Sequence, residues 1–299
     1  MGSRVLLLSV DLEDWHQLVR RRLGLRDWER VGGELEQQVR ALLALLDSLG
    51  ARATFFVLGM VARDRPGLVA EIARRGHEIA CHGDAHQPVY GQTPGEFADD
   101  LRAARRAIDD ATGELPKGYR APAFSITGQA RRWAFEVLAQ EGFAYDSSQA
   151  VSPGLRRRTG VEPLEPHPIE ISSGQRLWEL PVAACVVRRV VVPLGGASYW
   201  SLMPTGLALR GLGEAPHHAG LYLHPQELAP NRLRIGLPSG VGARRRAQAA
   251  LRTAQRELAR RRTPEMLRNV AQNFKLIPFG EFHAAISERP DPGAPSLSG

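Results

Sequence analysis

The stretch Val5-Leu6-Leu7-Leu8-Ser9-Val10-Asp11-Leu12-Glu13-Asp14 is an apolar run that ends in three acids within four residues. A short apolar run closed off by polar residues reads as a strand buried on both faces, as in a helix-covered parallel sheet. The same arrangement recurs at Glu78-Ile79-Ala80-Cys81-His82-Gly83-Asp84-Ala85-His86, where two histidines four residues apart follow the run. Neutral imidazoles and a carboxylate suit a borderline divalent cation such as zinc, and three protein ligands leave a coordination position open for water or substrate.

Along the rest of the chain, strand-like runs alternate with amphipathic helical patterns. Strands are predicted at Val5–Asp11, Ala53–Leu58, Glu78–His82, Gly118–Ala121, Phe143–Asp146, Leu177–Val182, Gly220–His224 and Phe274–Pro278. Helices are predicted at Glu34–Leu49, Pro66–Arg75, Pro94–Thr112 and Gln129–Glu141, closed by glycines suited to a left-handed cap at Gly50, Gly76, Gly113 and Gly142. Thr93-Pro94-Gly95-Glu96 reads as a capping box with proline at the first helical position. Such regular alternation implies an α/β fold with a parallel sheet, and about eight repeats suggest closure into a barrel. We expect one barrel domain over residues 1–285, a helical extension at 243–272 and a flexible tail at 286–299 rich in Pro, Gly and Ser.

Composition narrows the function. The 299 residues are 43% hydrophobic, enough for a substantial core, and the formal charge of +7 is carried almost entirely by arginine. Arg20–Arg22, Arg156–Arg158, Arg244–Arg246 and Arg260–Arg262 cluster without interleaved aromatics or a nucleic-acid motif, so nucleic acid is not an expected partner. No segment is long and apolar enough for an integral membrane span, which leaves peripheral contact through the arginines open. Cys81 and Cys185 form no Cys-x-x-Cys pair, and with the short N-terminal apolar run followed at once by acids we expect a cytoplasmic setting. The oligomeric state is not legible.

Asp11, His82, Arg120, Asp146 and His224 each fall at the carboxyl end of a different predicted strand, where an α/β barrel builds its active site. This convergence points to one metal-assisted hydrolytic centre.

The chain resembles the polysaccharide deacetylases of the NodB-homology type, carbohydrate esterase family 4, and within them the subgroup found beside exopolysaccharide and glycan assembly systems. The motifs run in order over Val5–Glu227: Ser9-Val10-Asp11-Leu12-Glu13-Asp14-Trp15, Ala53–Gly59, Gly76–His82, His86, Gly118–Ser125, Tyr145–Ser148, Gly195–Tyr199 and Tyr222–Glu227. The resemblance implies a distorted, incomplete (β/α) barrel of seven to eight repeats, a divalent metal, and removal of N-acetyl groups from N-acetylhexosamine units. Zinc is the first candidate, with cobalt, nickel or iron as alternatives. It also implies roles: Asp11 as general base, Arg120 orienting it, His224 as general acid, and His82 and His86 as metal ligands. The third ligand is Glu13 or Asp14. Residues i and i+2 share a strand face, which favours Glu13, whereas a turn would present Asp14. Asp146 or Glu179 would steady the protonated His224, and a backbone N–H after Arg120 would face the oxyanion. Gly83 stands where a serine or threonine is frequent, and Gln226 where a tryptophan is. Tyr199, Trp200 and Pro122 are candidates for the substrate, the aromatics beside Gly195-Gly196 by stacking on sugar faces.

Each residue also has a plainer reading: Asp11 as a turn cap, Arg120 as a structural ion pair, Asp146 as a helix start, Tyr199 and Trp200 as core. Among other functions, iron(II) oxygenases share the ligand set but on all-β frames. A small-amide hydrolase or a non-catalytic glycan-binding protein on this scaffold remain the alternatives.

Overall fold

All eight apolar runs form strands. In the computed structural model, which describes residues 4–25, 28–29, 34–150, 164–187, 190–200 and 203–287, they are β1 (Val5–Leu12), β2 (Thr54–Val57), β3 (Glu78–Cys81), β4 (Gly118–Tyr119) and β5 (Tyr145–Asp146), then β7 (Arg176–Glu179), β10 (Gly220–Leu223) and β11 (Lys275–Ile277). Three strands were not expected: β6 (His167–Glu170), which pairs antiparallel with β7, and the separate hairpin of β8 (Ala184–Val187) and β9 (Val190–Pro193). The main sheet has the order β10-β1-β2-β3-β4-β5-β7-β6, with β11 added along Val5–Leu7 of β1. It is parallel apart from the β6–β7 edge.

The sheet curls without full closure. Its ends meet through a single parallel bridge, Val182 to Gly220, flanked by another between Gly196 and Tyr222. This is the distorted, incomplete barrel the motifs imply. The seam explains Gly195: a Cβ there would stand 2.1 Å from Val182 Cγ1 and 2.7 Å from the Gly220 carbonyl oxygen. Gly195-Gly196 therefore packs against the seam between Val182 and Gly220.

The helices are α1 (Trp15–Arg22), α2 (Leu35–Ser48), α3 (Gly59–Asp64), α4 (Pro66–Arg74), α5 (Pro94–Thr112), α6 (Arg131–Gln140), α7 (Ala197–Trp200), α8 (Thr205–Glu214), α9 (Ala243–Arg260), α10 (Thr263–Asn273) and α11 (Phe279–Ser287). The four glycines expected as helix ends all have positive φ, between +60° and +79°, and the Thr93–Glu96 capping box is formed. The extension at 243–272 is two helices, broken before Pro264. Arginine-rich α9 covers an apolar cluster of Trp15, Val19, Leu23, Leu233 and Ala249. The tail expected from 286 begins inside α11; residues 288–299, like Arg156–Arg158, lie outside the described set. No helix among the described residues is long and apolar enough to cross a membrane.

The alternation of β1 places the site. Leu6, Leu8, Val10 and Leu12 pack outward under the helices with Val39, Leu42 and Val61, whereas Leu7 joins Phe56, Tyr145 and Phe279 inside the barrel. The odd residues Ser9 and Asp11 continue up the interior above that aromatic floor.

Candidate active site

The lowest polar layer is Arg120, fully buried at the end of β4. Its guanidinium lies 4.1 Å from the centre of the Phe56 ring, and every nitrogen donates: Nη1 to Ser9 Oγ and Asp11 Oδ1, both 2.7 Å, Nη2 to Ser147 Oγ at 2.8 Å, Nε to the Ser147 carbonyl at 3.1 Å. A buried ion pair is tolerated only when its remaining donors are met in this way. The Asp11 carboxylate is therefore fixed in direction at the mouth of the barrel.

Above it stands the candidate metal centre. Glu13, His82 and His86 offer one ligand atom each, all within 4.8 Å of one another. Glu13 Oε2 is 2.8 Å from His86 Nε2 and 3.9 Å from His82 Nε2. His82 Nδ1 is 2.8 Å from the Arg120 carbonyl, an acceptor, so Nδ1 carries the proton and the Nε2 lone pair faces the other two ligands. Burial holds the His82 imidazole down at about 4, neutral at physiological pH. Burial works the other way on Glu13, but His86, His224 and His82 outweigh it and hold the carboxyl at about 2. A carboxylate and two inward-facing imidazoles, one with its tautomer locked, fit a divalent cation by donor chemistry and by spacing.

Asp14 is elsewhere. Its side chain accepts from His16 N at 2.9 Å as the N-cap of α1, whereas Glu13 is the acid that lies with His82 and His86.

His224 follows β10, with Nε2 3.5 Å from Glu13 Oε1. Its supporting acid is Glu227, which the sequence reading quoted but gave no role. Glu227 Oε2 accepts from the His224 backbone N–H at 3.0 Å, and Oε1 lies 3.6 Å from Nδ1. Burial disfavours the imidazolium, yet Glu227, Glu13 and Asp11 raise His224 to about 9. The signal was present: proline one residue after His224 and glutamate three after it is a helix-start pattern that turns the carboxylate back onto the first residue.

Asp146 and Glu179 do not take that role. Asp146 accepts from Ser148 N and Oγ at 2.9 and 2.7 Å, and Glu179 accepts from Gln149 N at 3.0 Å. The two carboxyls face each other behind Arg120, and burial pushes both up from the ordinary carboxyl range. Nor is the N–H after Arg120 free for an oxyanion, because Ala121 N donates to Ser148 Oγ at 2.8 Å.

Of the substrate candidates, Tyr199 lines a cavity of about 210 Å³ together with Tyr90, Phe124, Val182 and Tyr222. The Tyr222 ring packs edge-on to both Phe124 and His224, at 5.1 and 5.7 Å, which sets this cavity beside the acid. Trp200 is core: it is 1% exposed and its indole N–H donates to the Leu194 carbonyl at 2.9 Å. Pro122 is buried against the metal loop, its Cγ 3.6 Å from where a Gly83 Cβ would stand. Neither of these two is placed to meet a ligand. Tyr90, Phe124 and Tyr222 were missed as lining residues, since nothing in their spacing marks a shared wall.

Parts of the chain are similar to known proteins. A family model described as polysaccharide deacetylase matches residues 32–140, and one described as domain of unknown function (DUF3473) matches residues 147–282. The chain is 38% identical over 88 residues to a chitooligosaccharide deacetylase of Bradyrhizobium sp., covering 29% of this chain and 37% of that protein. It is 32% identical over 88 residues to the peptidoglycan-N-acetylglucosamine deacetylase PgdA of Listeria monocytogenes, covering 28% of this chain and 19% of that one. These matches thus span little more than a third of the curated relatives. Among solved structures, a protein from Mycobacterium smegmatis classed as a polysaccharide deacetylase superposes with a TM-score of 0.60 at 21% identity, over 97% of this chain and 96% of that one. Puue allantoinase superposes with a TM-score of 0.61 at 14% identity, over 97% and 93%. The two family matches abut at β5, and the sheet runs across their boundary, since β1 pairs with both β2 and β10. The chain thus carries a region that matches the polysaccharide deacetylase model, residues 32–140, followed by one that matches DUF3473, residues 147–282.

Proposed function

We propose that the chain is a metal-dependent hydrolase that removes N-acetyl groups from N-acetylhexosamine units of a glycan, glycoconjugate or glycosylated intermediate. The observation that carries this reading is the set of groups gathered at the barrel mouth: Glu13, His82 and His86 within 4.8 Å of one another, the Arg120-held Asp11, and His224 beside Glu227 with its Nε2 3.5 Å from Glu13.

Glu13, His82 and His86 would hold the ion, which supplies Lewis acidity and a more acidic water. Asp11, oriented by Arg120, accepts the proton of the attacking water. His224, charged because Glu227 and Glu13 favour its protonated form, delivers a proton to the departing amine, which leaves poorly as an anion. The base is anchored from below and the acid from the side, so the two reach the reacting carbon from different directions.

The test is acetate release by purified, zinc-reconstituted protein from N-acetylhexosamine oligomers and glycosylated small molecules, with Asp11→Asn and His82→Ala as controls. Zinc-dependent release abolished in both variants supports the reading. Ring opening of small cyclic amides, or release of ammonia from linear ones, with none of acetate, would replace it by a small-amide hydrolase.

A further inference from the structure

The metal loop Gly83–His86 lacks the hydroxyl side chain frequent after its first histidine, yet it places His86 with a left-handed backbone, φ +53°. A non-glycine residue in that region persists only when its surroundings over-determine it. The surroundings here are unusually specific. The N-terminus of α3 holds the loop's carbonyls, with Gly59 N donating to Gly83 O and Met60 N to Asp84 O, both at 3.0 Å. Arg21 on α1 donates to the Ala85 and His86 carbonyls at 2.8 and 3.2 Å. Those contacts take up oxygens and leave the loop's N–H groups to be met.

Asp100, on α5, meets them. Its Oδ2 accepts from Asp84 N at 3.0 Å, and its carboxylate also accepts from Ala85 N. A Cβ at position 83 would stand 2.9 Å from Asp100 Oδ2, at a residue whose φ is +77°. Glycine at 83 and aspartate at 100 therefore form one device: the missing side chain makes room for the carboxylate.

We propose that Asp100 is the positioning residue of this loop, its carboxylate bridging the Asp84 and Ala85 amides so that His86 Nε2 is aimed at Glu13. The role rests on the metal centre proposed above. It does not extend to contact with substrate. Removing a carboxylate that accepts from these half-buried N–H groups leaves both donors without it, and the loop relaxes toward a backbone that turns His86 away.

Two measurements test this on the full chain with Asp100→Ala, Asp100→Asn and, as a control on the exposed side of the same helix, Asp99→Ala. Zinc affinity is read by calorimetry, and amide hydrogen exchange at Asp84 and Ala85 is read in metal-free protein, with circular dichroism reporting the fold. Loss of an outer-shell partner weakens metal binding about 10- to 100-fold. We expect that loss in Asp100→Ala, a smaller one in Asp100→Asn, which keeps one acceptor oxygen, and none in Asp99→Ala. The Asp84 and Ala85 amides should exchange faster in the same order. Wild-type zinc affinity in a folded Asp100→Ala protein, or unchanged exchange at the two amides, overturns the role. Wild-type protein that binds no zinc overturns the metal centre instead, and the exchange data then decide the loop on their own.

Discussion

His82 and His224 both follow barrel strands and both point a ring nitrogen at Glu13, yet one is held down at about 4 and the other up at about 9. Burial opposes charge on each. What separates them is the group on Nδ1: a backbone carbonyl for His82 and a carboxylate for His224. A carbonyl fixes the tautomer without adding charge, leaving a neutral donor suited to a cation, while a carboxylate holds the proton on, leaving an acid. Two histidines in one pocket are thus assigned opposite chemistry by their outer partners.

The largest expected effect comes from removing the neutral member. His82→Ala should lose stoichiometric zinc binding and acetate release together; bound zinc at one equivalent in that variant would show that His82 is not a ligand. Next, Asp11→Asn should lower kcat by about 100- to 10,000-fold, the usual range for a general base, while zinc still binds.

Breaking the charged member should be milder and specific to pH. Glu227→Gln removes the carboxylate beside Nδ1, so His224 should fall from about 9 toward its ordinary 6.5, and the basic limb of the pH–kcat profile should move to lower pH with kcat reduced roughly tenfold. Stability follows the same sign. Between 6.5 and about 9 the folded protein holds a proton the unfolded chain has released, so stability falls as pH rises through that window, and Glu227→Gln should flatten the fall. An unshifted limb would mean that Glu13 alone sets the acid.

The smallest effect probes the carboxyl pair behind Arg120, which contrasts with Glu13 in being pushed up where Glu13 is held down. Both carboxyls are raised, so above the ordinary carboxyl range the folded state binds more protons than the unfolded, and stability declines with pH by about 1.4 kcal/mol per unit per proton until they titrate. Glu179→Gln keeps a donor toward Asp146 and an acceptor for Gln149 N. It should therefore remove that decline in denaturation curves while leaving kcat near wild type.

The strand cores were legible because each is a short apolar run with polar residues at its carboxyl end, and the helices because glycine marked their ends. β6 was not: His167-Pro168-Ile169-Glu170 carries a proline and alternates polar residues, which suits an edge strand but imitates a loop. The seam at Val182–Gly220 joins segments far apart in sequence, and no local pattern records such a pairing. In the site, residues on strand ends could be placed by alternation, which favoured Glu13 over Asp14, and Glu13 is the acid that lies with His82 and His86. Residues acting through turns could not: Glu227, Asp100 and the Asp14 cap depend on backbone geometry that side-chain periodicity leaves unspecified.

The position of β1 has a consequence for synthesis. The strand bearing Asp11 precedes all its neighbours in the chain: β2 begins at residue 54, β10 at residue 220 and β11 at residue 275. At about 5–20 residues per second, tens of seconds separate the emergence of the first of these neighbours from the last. During that interval the most apolar strand of the chain has one edge unpaired and open to wrong partners. A ribosome-stalled chain ending before residue 220 should therefore aggregate or recruit chaperones, and one extended past residue 277 should not.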